Sequence, residues 1–512
     1  MDTQPVKAAT RLYFTTAATT ALTAAAFIID VTYIRPSQLS SKQIWFGLLL
    51  GVAALYTHVS LRADYIYYRR MAKHGCAPPK RIPDDPTGIR WILSIATAIK
   101  QNSLLERISQ LLLEMGHTFQ HRIFPEWNIS ISTDEPENLK TVLATRFDDW
   151  DIPRHRVRGF HPVLGYHSIF TVNGPEWQHA RATLRPAFVR NQLADLERFD
   201  LHARKLLAKL PSRNDAQAVV DLQDLFSRLM VDTTSDFMFG QSTDLLGSAD
   251  ADSLTFVKYF DASMHKIARR ARLGWLTQLQ GDKELDEQGQ GAAGAAAEEK
   301  KDQKEENRYV FLDRLIDTGE PDDVVRDQVL SIFVAGRDTT TSALTSLFLE
   351  LSQRPDVVHK LRDEIGALGI EDPSSASQPP VALNSREAIR DTVLPRGGGP
   401  SGEEPVFVPR GTIVRYQPWC MQRRKDLYGA DAEEFRPERW ETIRPTYEYI
   451  PFNAGPRICI GQQFALTAIA MTTFRILQAY QHIERRDDRP PVRKLGINLS
   501  MLHGCWVSMT PA

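Results

Sequence analysis

The residues best placed to do chemistry in this 512-residue chain form one short run, Phe452-Asn453-Ala454-Gly455-Pro456-Arg457-Ile458-Cys459-Ile460-Gly461. It reads as an irregular loop with two glycines that delivers one cysteine to the start of a helix. The helical pattern follows Gly461, with Phe464, Leu466, Ala468, Ile469, Met471 and Phe474. A thiolate at a helix start is favoured by the helix dipole and by nearby backbone N–H groups. A buried thiolate of that kind is a standard axial ligand of haem iron, where it pushes electron density toward the metal and favours O–O cleavage. Gly455 and Gly461 are expected to let the backbone pass close to a flat cofactor. Arg457 is a partner for a haem propionate through a charge-assisted bond. The competing reading makes Cys459 a small buried hydrophobe, the usual fate of a free cysteine.

Three further stretches must position or complete such a site. A long helix is predicted from about Asp323 to Arg354, capped by Asp322 or Asp323 and stopped by Pro355. Val325, Val329, Ile332, Phe333, Leu344, Leu347 and Leu351 give it a broad apolar face. At its centre stands Ala335-Gly336-Arg337-Asp338-Thr339-Thr340, where a glycine costs about 1 kcal/mol against alanine and so asks for a reason. Gly174-Pro175-Glu176-Trp177 opens another helix, which places Trp177 and Arg181 four apart on one face. The segment from Gly496 to Val507 reads as a hairpin turning at His503-Gly504.

Phe452, Gly455, Arg457, Cys459 and Gly461 stand at the spacing of the haem-binding signature of the cytochrome P450 superfamily, and the chain resembles that family over roughly residues 63–512. The resemblance implies a mainly α fold with small β sheets. It implies haem b with Cys459 as axial ligand, and propionate contacts from Trp177, Arg181, Arg386 and Arg457. It implies that Asp338 and Thr339 relay protons to bound oxygen, on a helix that opens locally beside Ala335 and Gly336. Ala335, Gly336, Leu499 and Met501 are then candidates to line the substrate pocket. The wording of the motifs, with Phe435-Arg436-Pro437-Glu438-Arg439-Trp440 before the haem loop, most resembles fungal and yeast alkane and fatty-acid hydroxylases. The expected reaction is RH + O2 + two electrons + two protons giving ROH and water. A tailoring monooxygenase acting on a polyketide, terpenoid or similar product is the alternative.

Composition agrees with such an enzyme. A net charge of −1 and 42% hydrophobic residues give no sign of a nucleic-acid partner. Cys76, Cys420, Cys459 and Cys505 are scattered, with no CxxC pair, which supports neither a disulfide framework nor a zinc site. The chain contains no flavin or nicotinamide domain. Electrons are expected from NADPH-cytochrome P450 reductase, with cytochrome b5 as an accessory donor.

Residues 1–62 read as a membrane anchor. Leu12 to Ile29 and Gln43 to Leu61 are apolar runs, the second long enough to cross a bilayer. Arg62, Arg69, Arg70 and Lys73 follow, which by the positive-inside rule keeps the downstream chain on the cytosolic side, here of the endoplasmic reticulum. A Cys76-Ala77-Pro78-Pro79 hinge leads into the catalytic domain. Residues near 281–307 are low in complexity and read as a solvated insertion.

One family element is missing. The resemblance requires a Glu-x-x-Arg helix between the long helix and the segment holding Arg439, and residues 369–380 cannot form it. Glu387-Ala388-Ile389-Arg390 fits the letters but follows the Asn384-Ser385-Arg386 run that enters a strand. Arg439 is therefore expected to lack its partners, and a buried unpaired charge costs about 3–5 kcal/mol. A third expectation follows: a chain impaired in binding haem.

Overall fold

The computed structural model describes residues 51, 58–59, 61–82, 88–122, 129–189, 195–215, 218–248, 251–273, 309–367 and 383–512. The two N-terminal apolar runs lie almost wholly outside these residues. The low-complexity stretch and the 369–380 segment lie outside them altogether. Among the described residues no helix is long and apolar enough to cross a membrane.

The centre of the fold is the helix Asp322–Leu351. Its residues are buried on several sides, among them Ile332, Phe333, Val334, Ala343, Leu344, Leu347 and Phe348. A helix apolar over so much of its circumference belongs inside a core rather than on a surface. It packs against Leu222–Phe239 on one side and against Gln462–Ala479, the helix after Cys459, on another. Its start differs from expectation. Pro321 is the N-cap, and Asp322 and Asp323 fall inside the first turn, where their charge favours the dipole. Its end differs too. Ser352 closes the helix, and Pro355 opens the next one, Pro355–Ala367, where a missing N–H is harmless.

Strands flank this helical body. A six-stranded sheet contains, in spatial order, β1 (Lys80–Arg81), β2 (Thr118–Arg122), β3 (Ile129–Thr133), β9 (Ile413–Tyr416), β6 (Asn384–Ala388) and β4 (Trp150–Asp151). Glu387 lies in β6, opposite Ile413 and Asp151, and Arg390 pairs with Asp149. The Glu387–Arg390 spacing is therefore a chance match, as the strand context implied. β7 (Thr392–Gly398) and β8 (Glu404–Val408) form a separate antiparallel pair. The hairpin reading needs correction. Its strands are β11 (Arg493–Leu495) and β12 (Leu499–Met501), so the turn falls at residues 496–498. His503-Gly504 instead leads into β13 (Trp506–Pro511), which pairs with β10 (Tyr480–Arg485) and β5 (Val219–Asp221). Gly504 is still needed there: with φ near 78°, a Cβ would fall 2.5 Å from the Asp221 carboxylate.

Candidate active site

Cys459 sits two residues before the N-cap of Gln462–Ala479, with its N–H donating to Phe452 O at 3.0 Å. Cys420 and Cys505 are buried, whereas the Cys459 side chain is accessible. It is nonetheless closely surrounded by protein. Burial raises its thiol above the ordinary range, against the Gly461 N–H and the Arg181 charge, which pull it down. The helix start still contributes a favourable part, through the Gly461 N–H. Desolvation of a lone sulfur anion is the larger effect, and a cation at the sulfur would reverse it.

The two loop glycines have different protein neighbours. Gly455 has φ near 70°, and a Cβ there would lie 1.7 Å from the Leu143 carbonyl oxygen. It admits a backbone neighbour behind the loop, where only a glycine fits. A Cβ at Gly461 would meet only the Phe188 ring, at 3.8 Å. Phe452 contributes its carbonyl to the Cys459 N–H.

A group of guanidiniums gathers beside the cysteine. Trp177 is buried on the Gly174–Leu184 helix, with Arg457 Cζ 4.3 Å and Arg181 Cζ 5.9 Å from its ring centre. Arg181 donates to Ile458 O at 2.9 Å, and Arg457 donates to Val172 O and Asn173 Oδ1 at 3.1 and 2.9 Å. Arg386, buried in β6, stands 5.9 Å from the Tyr416 ring, and the Tyr416 hydroxyl donates to Asn453 of the loop. Pattern reading missed Arg156, which donates to Asn384 Oδ1 at 2.8 Å and acts electrostatically on Arg386 and Arg457. It lies in an arginine-rich run, Arg154-His155-Arg156-Val157-Arg158, where no motif separates it from its neighbours.

The electrostatics describe a site made for an anion. Burial, then Arg386, push Arg457 down to about 9, against the opposing Asp151. Burial and Arg386 push Arg156 down to about 10. Arg457 and Arg386 act on the carboxylate of Asp151, itself raised by burial, while Arg156 adds its charge beside them. Arg457 Nε is buried without a hydrogen-bond partner. Buried charge is tolerated when paired, and the acidic edge of a haem, with two carboxylates, is a fitting partner. The residues present therefore fit haem b, with Cys459 as its metal ligand.

On the central helix, Ala335, Gly336, Asp338 and Thr339 stay partly accessible between buried neighbours. The helix runs unbroken through them, which corrects the expectation of a local opening. Thr339 donates to Ala335 O at 2.7 Å, a back-bond that a threonine makes without breaking a helix. Gly336 has its reason in packing: a Cβ would come within 3.0 Å of the Thr234 hydroxyl on the neighbouring helix. Asp338 lies 3.6 Å from Arg337 Nε, and Arg337 is buried between Asp261, Ser227 and the Phe260 ring. Leu499 and Met501 are both 6% exposed, the first packed with Leu104, Leu105 and Trp419, the second in the main core.

Arg439 is not stranded. Its guanidinium donates to the carbonyls of Tyr428, Asp431 and Glu434 at 3.2, 2.8 and 3.0 Å, with the Asp431 carboxylate at 3.6 Å. The surrounding loop curls around the charge and supplies what a helix was expected to supply. That loop is tied to Pro355–Ala367 through Lys360 and Glu438.

A haem-thiolate enzyme is the class that this cysteine and cation cluster define. The sequence profile described as Cytochrome P450 matches residues 83–373 and 377–503, and the chain belongs to the cytochrome P450 family. It is 37% identical to cytochrome P450 monooxygenase FPY7 of Fusarium mangiferae, over 91% of this chain and 97% of that protein. It is 37% identical to cytochrome P450 monooxygenase himC of Aspergillus japonicus, over 91% and 90%. It is 34% identical to cytochrome P450 52A3-B of Candida maltosa, over 91% and 97%. The likeness to fungal and yeast members that the motif wording suggested therefore holds. The enzyme is an oxidoreductase of the monooxygenase kind, and its cofactor is haem on a cysteine ligand.

Proposed function

We propose that this chain hydroxylates a lipophilic substrate such as a fatty acid or alkane, with electrons from NADPH-cytochrome P450 reductase at the endoplasmic reticulum membrane. The observation that carries this reading is the pairing of an accessible, enclosed Cys459 with buried guanidiniums and an accessible patch on the otherwise buried central helix. When bound, haem supplies the oxygen activation. The chain's own residues do the rest. Arg156, Arg181, Arg386 and Arg457 hold the acidic edge. Trp177 keeps Arg181 and Arg457 in place by stacking. Thr339 and Asp338 are positioned to hand protons on, Thr339 through its hydroxyl and Asp338 through a carboxylate anchored on Arg337. The apolar surroundings exclude water and orient the C–H bond. The test is turnover of the full chain with reductase, NADPH and labelled dioxygen. Dodecane and dodecanoic acid should gain one labelled oxygen atom, and no labelled product from either would refute the reading.

The second reading is a tailoring enzyme acting on a polyketide, terpenoid or similar product, compatible with the two 37% relatives, whose names give monooxygenase and no fatty-chain substrate. A labelled product from a polyketide or terpenoid, with none from the chain substrates, would establish it. An impaired enzyme finds support in residues 369–380, which contain no Glu-x-x-Arg sequence and lie where the family match divides. The carbonyl cradle around Arg439 weighs against it.

A further inference from the structure

One buried imidazole on the sheet has no use in the site described so far. His121 in β2 is 5% exposed, and neither ring nitrogen has a hydrogen-bond partner. Its ring lies 4.4 Å from Trp91 and 5.7 Å from Phe119. Directly across the ladder stands Ser130 of β3. The Ser130 hydroxyl donates to Ile413 O at 3.1 Å and accepts a bond from Arg415 of β9. His121, Ser130 and Arg415 are thus contiguous on one face of the sheet. His155 is close enough to Arg415 to feel its charge, and Arg156 next to it belongs to the cation group beside Cys459.

A buried imidazole with two idle nitrogens is costly, and such groups in folded proteins call for an explanation. Here the idle donor stands beside a guanidinium and a hydroxyl, a combination suited to a carboxylate. The walls are apolar. Phe119, Trp91 and Ile95 belong to the same cluster as Leu499 of β12. The polar groups are few and their neighbours are apolar, a composition that suits one acidic head on a long apolar body.

We propose that His121, Ser130 and Arg415 form a carboxylate-binding site that anchors the acid end of a fatty-acid substrate. This rests on the fatty-chain reading above and narrows it to the free acid over the alkane or alcohol. Arg415 supplies the charge, and His121 and Ser130 supply directional donors.

The test is calorimetric titration of the haem-loaded full chain with dodecanoate and with 1-dodecanol. The native protein should bind dodecanoate about tenfold more tightly than the alcohol. Arg415→Met should remove that preference and leave alcohol binding within about twofold. Retained alcohol binding shows that the variant is folded. His121→Phe, which keeps the ring volume, should weaken the acid alone by about threefold. Arg415→Lys, which keeps the charge, should retain part of the preference. Equal affinity for acid and alcohol, unchanged in both Arg415→Met and His121→Phe, would overturn the carboxylate site and leave the fatty-chain reading standing. Binding of neither compound would defeat both.

Discussion

Replacing Arg439 by methionine sets two accounts of the same residue against each other. If Arg439 were a buried charge without partners, methionine would relieve it, and the protein would gain stability or stay level. Replacement of buried ionic groups by apolar ones of similar volume often does so, by about 1–4 kcal/mol. The structure predicts the opposite sign. Three carbonyls, those of Tyr428, Asp431 and Glu434, receive bonds from this one guanidinium. Bonds to a charged donor contribute about 1.5–3 kcal/mol each. Three from one group are not additive, and the relief of desolvating the charge subtracts from the total. A net loss of roughly 3 kcal/mol is expected. Urea unfolding of the native and variant chains measures it. The Trp440–Tyr449 ring pair, 4.5 Å apart beside Arg439, provides a local fluorescence probe. Arg439→Lys should fall between them, because an ammonium cannot reach all three carbonyls with the planar fork of arginine. A variant as stable as the native chain, or more so, would refute the carbonyl cradle.

Other outcomes follow from the same geometry. Gly455→Ala should cost at least about 1–2 kcal/mol from the left-handed backbone alone. The clash with the Leu143 carbonyl adds to that, so the variant should unfold at lower urea and lose its haem spectrum. Cys459→Ser keeps the N–H bond to Phe452 O and should fold, with unfolding within about 1 kcal/mol of native, yet its reduced carbon monoxide spectrum should lack the thiolate signature. His155 is pushed down to about 3 by burial first, then Arg415 and Arg156. Its unfolded form takes up a proton below about 6.5, so the stability it contributes is complete above that pH. It is lost at up to about 1.4 kcal/mol per pH unit as the pH falls toward 3. His155→Leu should flatten acid unfolding over that window, which urea titrations at pH 7, 6, 5 and 4 measure.

Legibility in the sequence followed the range of the interaction. The Cys459 loop, the helix after it, the central helix and the Gly174–Leu184 helix were all readable, because each is written in contiguous residues. Arg386 and Arg457 were readable as motif members. Arg156 was not, since its role comes from Asn384 and Arg386, more than 200 residues away in the chain. The hairpin turn was misplaced because Gly504 looks like a turn residue. Its backbone serves a different purpose, the crossing of the chain over Asp221.

The two glycines of greatest interest teach the same lesson. Gly455 and Gly336 were each read as room for a cofactor or for oxygen. Each also makes room for another part of the protein, the Leu143 carbonyl and the Thr234 side chain. A glycine announces close approach but does not name what approaches.

The amino-acid order by itself determined the family, the haem ligand and the reaction class, because a cysteine in a loop of fixed spacing is a local statement. The tertiary structure alone decided how charges are satisfied. It surrounded Arg439 with carbonyls, buried Arg457 Nε without a hydrogen-bond partner, and placed His121 beside Ser130 and Arg415. Electrostatic pairing depends on distance and burial rather than on order along the chain, and those exist only once the chain has folded.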